Sequence, residues 1–378
     1  MTRVHNFSAG PATIPEEVLR QAASELLDWR GTGMSVMEIS HRSAEYAPVI
    51  GEAEADLREL IGAPANYRIL FMQGGALAEN AIVPLNMMRG IGVADYIDTG
   101  VWSTKSITEA RRYGDVHVIA SSKSDGYTRV PKESEWQPTT GAAYVHICGN
   151  ETIGGVEYQS TPDVRALYGD RGDESTPLVE DASSHILSRP IDVTRYGLIY
   201  GGAQKNVSMA GLTFVIVRDD LIGKAHPWCP SAFDYKVVAD NHSMFNTPPT
   251  YAIYLAGLVF KWLKARPAAI GRPDLSPMQA IELQNIDTAK LLYDALDASD
   301  FYTTRVAVED RSRMNVTFRL RDDALTMRFV ADAAAAGLKG LKGHRAVGGI
   351  RASIYNAMPR AGVEALVAFM RDFERQHG

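Results

Sequence analysis

Three features of the sequence predict an α/β protein with a mostly parallel sheet and a smaller α+β region behind it. Short apolar runs alternate with amphipathic stretches over the first two-thirds of the chain. Glycine pairs stand where some of those runs end. A stretch rich in Pro, Gly and Arg at 265–277 then precedes a region with fewer, longer periodic segments. The 378 residues fit two domains, expected at 1–264 and 265–378, with the N-terminal stretch of about 15 residues packing on the smaller one.

Pro15, Glu16 and Glu17 mark a helix start. Proline lacks the donor that a first turn leaves unpaired, and acids suit the positive end of the helix dipole. Val18, Leu19, Ala22, Leu26 and Leu27 continue at helical spacing. Ile50, Ala53, Leu57, Leu60 and Ile61 predict a second helix, closed by Gly62 and Pro64. The run 69–72 reads as a buried strand, Gly74-Gly75 as a turn, and 76–88 as a helix kinked or broken at Pro84. Further strands are predicted at 94–97, 116–120, 143–147, 178–180, 198–200 and 213–217, which makes seven. Helical stretches between several of them place helices on both faces of the sheet. Beyond the linker come a helix over 278–296 and strands at 303–308, 315–320 and 350–355. An Ala-rich helix ends near Gly337, and a terminal helix starts at Val363.

Composition narrows the function classes. A net charge of -6 favours solubility and gives no sign of a nucleic-acid surface. Two cysteines, Cys148 and Cys229, supply neither a disulfide scaffold nor a cysteine-rich metal site. The first ten residues lack the apolar stretch of a secretory signal. The longest apolar run, near 251–263, is interrupted by Lys261 and is too short to span a bilayer. A cytoplasmic protein without a membrane or metal role is expected.

The chemistry points to Lys205, in Gly201-Gly-Ala-Gln-Lys205-Asn206, just after a strand and two glycines. Open α/β sheets present ligands at the carboxyl ends of their strands. A Schiff-base lysine must be deprotonable, so a partly desolvated turn suits it. A lone lysine there reads better as a solvated loop residue. Three other features shift that balance. Asp181 ends the apolar run Leu178-Val-Glu-Asp181 and suits a pyridinium nitrogen, although a helix-cap or turn role is common for such an aspartate. Glu180 competes with it, and strand alternation lets only one of the two face the site. Gly74-Gly75-Ala76-Leu77 stands at a strand-to-helix junction, where backbone N–H groups and the helix N-terminus favour a phosphate; Gly-Gly turns are also frequent without one. No Gly-Lys-Ser/Thr follows, so it is not a Walker motif. Trp102 follows a strand and reads either as a stacking platform or as a core residue.

Longer stretches carry a family resemblance. They are Phe7-Ser-Ala-Gly-Pro11, Ser35-Val-Met-Glu-Ile-Ser-His41-Arg42, Asn150-Glu-Thr152, Ser188-Arg-Pro-Ile-Asp-Val, Gly201-Gly-Ala-Gln-Lys205-Asn206, Ser243-Met-Phe-Asn246-Thr247-Pro-Pro and Gly343-His344-Arg345-Ala-Val-Gly-Gly-Ile-Arg351. Together they resemble, from end to end, the phosphoserine aminotransferase family, class V members of the fold-type-I pyridoxal-phosphate enzymes. The resemblance implies pyridoxal 5'-phosphate bound as a Schiff base on Lys205, which also shuttles the proton. It implies that Asp181 faces the pyridine nitrogen, that Trp102 stacks on the ring, and that Thr152 bonds the phenolic-oxygen side. Gln204 and the Ala76-Leu77 turn would meet the cofactor phosphate. Asn246 and Thr247 would complete that cup from a neighbouring subunit, which implies a homodimer with shared sites.

The implied substrates are L-glutamate and 3-phosphohydroxypyruvate, with a longer phosphorylated hydroxy keto acid of pyridoxine synthesis as a further acceptor. Each carries an α-carboxylate and a distal anion, and arginine suits both through paired hydrogen bonds. By resemblance Arg351 holds the α-carboxylate. His41 and Arg42, with His344 and Arg345 from the other subunit, hold the distal anion. Any one of these arginines alone would read as a surface ion pair. Several relatives have a more glycine-rich turn where Ala76-Leu77-Ala78-Glu79 stands. A backbone contact to phosphate survives that change and a side-chain contact does not. Some relatives also carry a serine at the position of Ala9, so no substrate contact is assigned there.

Rival readings are weaker. A cysteine desulfurase needs a reactive cysteine in the substrate-covering half, and neither cysteine lies beyond the linker. Kynureninase and alanine–glyoxylate aminotransferase have similar cofactor sites with other substrates. A non-catalytic protein of this fold would carry an added DNA-binding module or lack the lysine.

Overall fold

A computed structural model describes residues 3–169 and 175–378; the first two residues of the expected N-terminal segment lie outside them. The chain opens with β1 (His5–Asn6), α1 (Glu16–Ser24) and α2 (Ala47–Ile61). Then come β2 (Tyr67–Met72), α3 (Gly75–Met87), β3 (Val93–Asp98), α4 (Val101–Ala110) and β4 (Asp115–Ser121). Next are β5 (Val145–Cys148), the short pair β6 (Asn150–Glu151) and β7 (Val156–Glu157), α5 (Val164–Tyr168), β8 (Leu178–Asp181), β9 (Leu198–Gly202) and β10 (Thr213–Arg218). Helices α6 (Tyr235–Asp240), α7 (Thr250–Lys264), α8 (Arg266–Ala269) and α9 (Pro277–Asp297) follow. The chain ends with β11 (Tyr302–Thr303), β12 (Asn315–Leu320), α10 (Thr326–Ala335), β13 (Leu338–Lys339), β14 (Ile350–Ser353) and α11 (Arg360–His377).

The seven expected strands form one sheet in the order β2-β10-β9-β8-β5-β3-β4. Only β10 runs against its neighbours. Apolar side chains alternate between the two faces along each strand. Ile69, Phe71, Leu178, Ile199, Phe214 and Ile216 join α1, α2 and α7 in one core. Leu70, Met72, Val179, Leu198, Tyr200, Val215 and Val217 join residues of α3, α4 and α6 in another. A third core unites Phe7 with residues of α9, β12, α10, β14 and α11. Met278 and Ile281, at the start of α9, belong instead to the first core. Strand β1 pairs in parallel with β13, so the N-terminal segment is tied to the C-terminal part of the chain.

Several elements differ from expectation for local reasons. Helix α1 stops at Ser24, and Leu27 is 84% exposed rather than packed. Helix α3 runs unbroken through Pro84, so only the one donor that proline lacks is lost. The expected linker contains the short α8, with Pro267 buried at its start. The expected strand at 303–308 is mostly not a strand. Ala307 N donates to Thr128 O, and the Asp310 carboxylate accepts from Val130 N, so this backbone bonds across to a loop instead of extending a ladder. The start of α9 is sharp because Ser276 and Gln279 form a reciprocal capping box ahead of Pro277.

Candidate active site

The carboxyl ends of β3, β5, β8 and β9 gather the chemistry-bearing residues. Lys205 follows β9 in a tight turn in which Ala203 O accepts from the N–H groups of Lys205, Val207 and Ser208. Its Nζ donates to Thr152 Oγ1 at 2.8 Å and lies 5.8 Å from the centroid of the Trp102 ring. Burial lowers the pKa of the Lys205 ammonium, the nearby Asp181 carboxylate pulls it back up, and Arg351 presses it down again. The balance favours the free amine more than in water.

Asp181 is the last residue of β8 and is 7% exposed. Its Oδ1 accepts from Ser183 N at 3.0 Å and Ser183 Oγ at 2.6 Å, and Ser183 Oγ in turn accepts from Gly202 N. The second oxygen accepts no hydrogen bond among the described residues. Glu180 points to the other side, where Oε1 lies 3.4 Å from His185 Nε2. The alternation of β8 thus puts Asp181, not Glu180, on the face shared with α3 and α4.

Trp102 sits in the first turn of α4, partly buried, and its Nε1 is buried without a partner among the described residues. What fixes it is Glu151, which the sequence reading did not single out. The Glu151 carboxylate accepts from Trp102 N at 3.0 Å, Ser103 N at 2.9 Å and Ser103 Oγ at 2.8 Å. It caps the positive end of α4 from β6. Gly100 has to be glycine, because a Cβ there would lie 2.6 Å from Glu151 Cδ. The only local signal was an acid directly before Thr152.

Arg351, on β14, reaches into the same corner, with Nη1 donating to Thr152 O at 3.3 Å and Nε buried without a partner among the described residues. Burial lowers its pKa. Tyr355, at the end of the expected strand 350–355, donates to Ala9 O and accepts from Asn315 Nδ2, which ties the N-terminal segment to this corner. His344 lies in the field of Arg351, Lys105 and Arg345; burial and these cations lower its pKa. Arg345 is exposed. His41 and Arg42 lie on the irregular segment before α2, and no hydrogen bond or ion pair joins them to Lys205, Asp181 or Trp102 among the described residues. His41 Nε2 is buried and has no partner among the described residues.

At the other end of the cluster, Gly74 has φ +103° and precedes α3, and Gly75 N donates to Thr213 Oγ1. Ala76 and Leu77 then occupy the first helical turn, whose N–H groups have no intrahelical acceptor. The Leu77 side chain is 62% exposed. Gln204 packs its amide over Gly202, and its carbonyl accepts from Ala12 N. Asn246 and Thr247 are exposed on the loop before α7, and Thr247 O accepts from Gln73 Nε2.

The model for the family described as aminotransferase class V matches residues 4–366. A phosphoserine aminotransferase from Polaromonas sp. is 57% identical over 377 residues, covering 100% of both chains. The chain belongs to the phosphoserine aminotransferase family, within class V. Among solved structures, the phosphoserine aminotransferase from Bacillus circulans subsp. alkalophilus superposes with a TM-score of 0.92 at 44% identity, covering 100% of this chain and 99% of that one. The pyridoxal-phosphate-bound enzyme from Trichomonas vaginalis gives 0.88 at 38% identity, covering 98% and 100%.

The residues present fit the coenzyme of this family. A half-buried amine stands at a strand end, and an acid with one unused oxygen lies close enough to shift its pKa. A flat indole with an unpartnered Nε1 faces the amine. Free N–H groups at the start of α3 suit a phosphate.

Proposed function

We propose that the chain moves an amino group between L-glutamate and 3-phosphohydroxypyruvate, giving 2-oxoglutarate and O-phospho-L-serine, with pyridoxal phosphate held on Lys205. The observation that carries this reading is the Lys205 amine, bonded to Thr152, facing Trp102 and flanked by Asp181 and Arg351, in a family of this activity.

Bound there, the coenzyme supplies a carbonyl carbon for the amino group and a ring that takes up the electron pair left on Cα. Lys205 Nζ would be the group that holds that carbonyl carbon. As the free amine, it would take the proton from the substrate Cα and return it on the other side of the exchange. Burial lowers its pKa, which makes the free amine easier to reach than for a lysine in water. Asp181, anchored by Ser183, holds a proton at the ring nitrogen. Trp102 offers its face to the ring, and Thr152 bonds its oxygen substituent. Ala76, Leu77 and Gln204 hold the phosphate, and Asn246 and Thr247 do so from a second subunit. Their exposed position on a loop supports a homodimer. Arg351 orients the α-carboxylate. His41, Arg42, His344 and Arg345 take the distal carboxylate or phosphate.

A longer phosphorylated hydroxy keto acid of pyridoxine synthesis fits the same anion sites, and we place the reaction in the cytoplasm; among the described residues no helix is long and apolar enough to cross a membrane. The separate cores support two domains, 1–264 and 265–378, with α9 reaching back from the second to the first.

The test is transamination from L-glutamate to keto acids with and without a phosphate. The reading expects a strong preference for the phosphorylated acceptor. Equal rates, or a preference for glyoxylate, would overturn it.

A further inference from the structure

Helix α3 carries a buried acid that no step above uses. Glu79 is 0% exposed. Its Oε2 accepts from Tyr235 OH, at the start of α6, at 2.8 Å, and its Oε1 is buried without a partner among the described residues. Lying three residues after Ala76, it is on the same side of α3 as the start of the anion-binding turn. Tyr235 N also donates to Asn86 Oδ1, so α3 and α6 are joined twice. The chain that leaves α6 runs through Ser243, whose hydroxyl accepts from Phe71 N, to Asn246 and Thr247.

We propose that Glu79 is a positioning residue that, through its hydrogen bond with Tyr235, locks the α3 anion-binding turn to α6 and so to the Asn246–Thr247 loop. Ionising it loosens both parts of the phosphate cup. This rests on the coenzyme reading above and deepens it.

The surroundings support a neutral acid. Tyr235 faces it from α6, and Asp181 acts on it from the end of β8. Tyr200 on β9 and Tyr144 beside β5 surround Tyr235. His146 on β5, bonded to Tyr200, is kept uncharged by burial, which pushes its pKa down to about 3. Strands β2 and β10 contribute Leu70, Met72, Val215 and Val217 to this face. No cation among the described residues bonds to Glu79. Burial, opposed by the Tyr235 hydrogen bond and reinforced by Asp181, raises the Glu79 pKa to about 8.

The sign follows directly. The folded chain keeps a proton on Glu79 that the unfolded chain loses near the ordinary carboxylate value of 4.5. Stability from this group is therefore complete at low pH and declines as pH rises toward about 8. An anion held at the first turn of the same helix is disfavoured by the ionised form, and by linkage the anion disfavours ionisation.

The experiment uses full-length protein in three forms: parent, Glu79→Gln and Tyr235→Phe. Melting of the coenzyme-free chains is followed from pH 6 to pH 9.5, and pyridoxal phosphate dissociation constants are measured at the same values. Glu79→Gln has the same shape and no charge to titrate. The parent is expected to lose roughly 3 °C more than Glu79→Gln across this range. Its coenzyme affinity should weaken about tenfold more. Tyr235→Phe removes the bond that assists ionisation, so its decline moves to higher pH. Parallel profiles for parent and Glu79→Gln would sink the proposal while leaving the transamination reading intact. Failure of the parent to bind the coenzyme at any pH would sink both.

Discussion

The surroundings of Lys205 and those of the two His-Arg pairs are built in opposite ways. Around Lys205 the side chains are held by hydrogen bonds within one chain: Thr152 to the amine, Ser183 to Asp181, and Glu151 to the backbone under Trp102. Around the pairs little is held. Neither the Arg42 nor the Arg345 guanidinium makes a hydrogen bond or ion pair among the described residues, and both arginines are exposed. Groups that touch bonds being broken must be placed to within a fraction of an ångström. Groups that accept either a carboxylate or a phosphate gain from staying free, because the two anions differ in size and shape. The rigid corner would set the chemistry, and the loose pairs would set which anion is accepted.

That contrast can be broken first at its rigid end. Lys205→Ala is expected to lower kcat by at least about 10⁴-fold, since it removes both the covalent anchor and the proton carrier. The yellow colour of the bound coenzyme should go with it. A yellow, active variant would end the assignment. Asp181→Asn keeps the shape and the Ser183 contact but removes the charge, and kcat should fall by about 10²–10³-fold. An unchanged kcat would mean that the ring nitrogen needs no anion here.

At the loose end the expected loss is smaller and selective. Arg345→Ala should reduce kcat/KM for a phosphorylated acceptor by about 10–100-fold, the scale of one or two charge-assisted hydrogen bonds. An unphosphorylated keto acid should lose less than about threefold. Equal losses would place Arg345 in the general scaffold rather than at the distal anion. Glu151→Gln tests whether the rigidity is structural. One amide N–H group would face the backbone donors of Trp102 and Ser103, so stability should fall by about 1–3 kcal/mol. Thermal unfolding measures this, and an unchanged melting temperature would remove Glu151 from the support of Trp102.

The two regions also differ in how much of them could be read from sequence. Lys205, Asp181 and the Gly74-Gly75 turn stand at strand ends, where the α/β pattern itself puts ligands. The alternation of β8 separated Asp181 from Glu180 once the sheet existed. Glu151 and Glu79 stayed hidden because their partners are distant in the chain: Ser103 is 48 residues from Glu151 and Tyr235 is 156 from Glu79. Periodicity reports which face a residue occupies, not what it meets there. The same limit explains the shortened β11, whose continuation bonds to the 128–130 loop rather than to a strand. The His-Arg pairs owe their distal-anion role to family resemblance, since arginine suits any anion and no local pattern distinguishes an arginine that awaits a substrate from one that meets solvent.

The Ala76-Leu77 turn belongs to the rigid region by its backbone and to the loose one by its side chain. If the N–H groups of the first α3 turn hold the coenzyme phosphate, Leu77→Ala changes nothing they need. The helix start is fixed by Gly74 and by the Gly75–Thr213 bond, and the leucine side chain is 62% exposed. Pyridoxal phosphate affinity should then stay within about twofold, since no packed contact or cap is lost. A tenfold loss would mean that the side chain itself closes over the phosphate, and that the leucine, rather than the missing glycine, is the feature that shapes this turn.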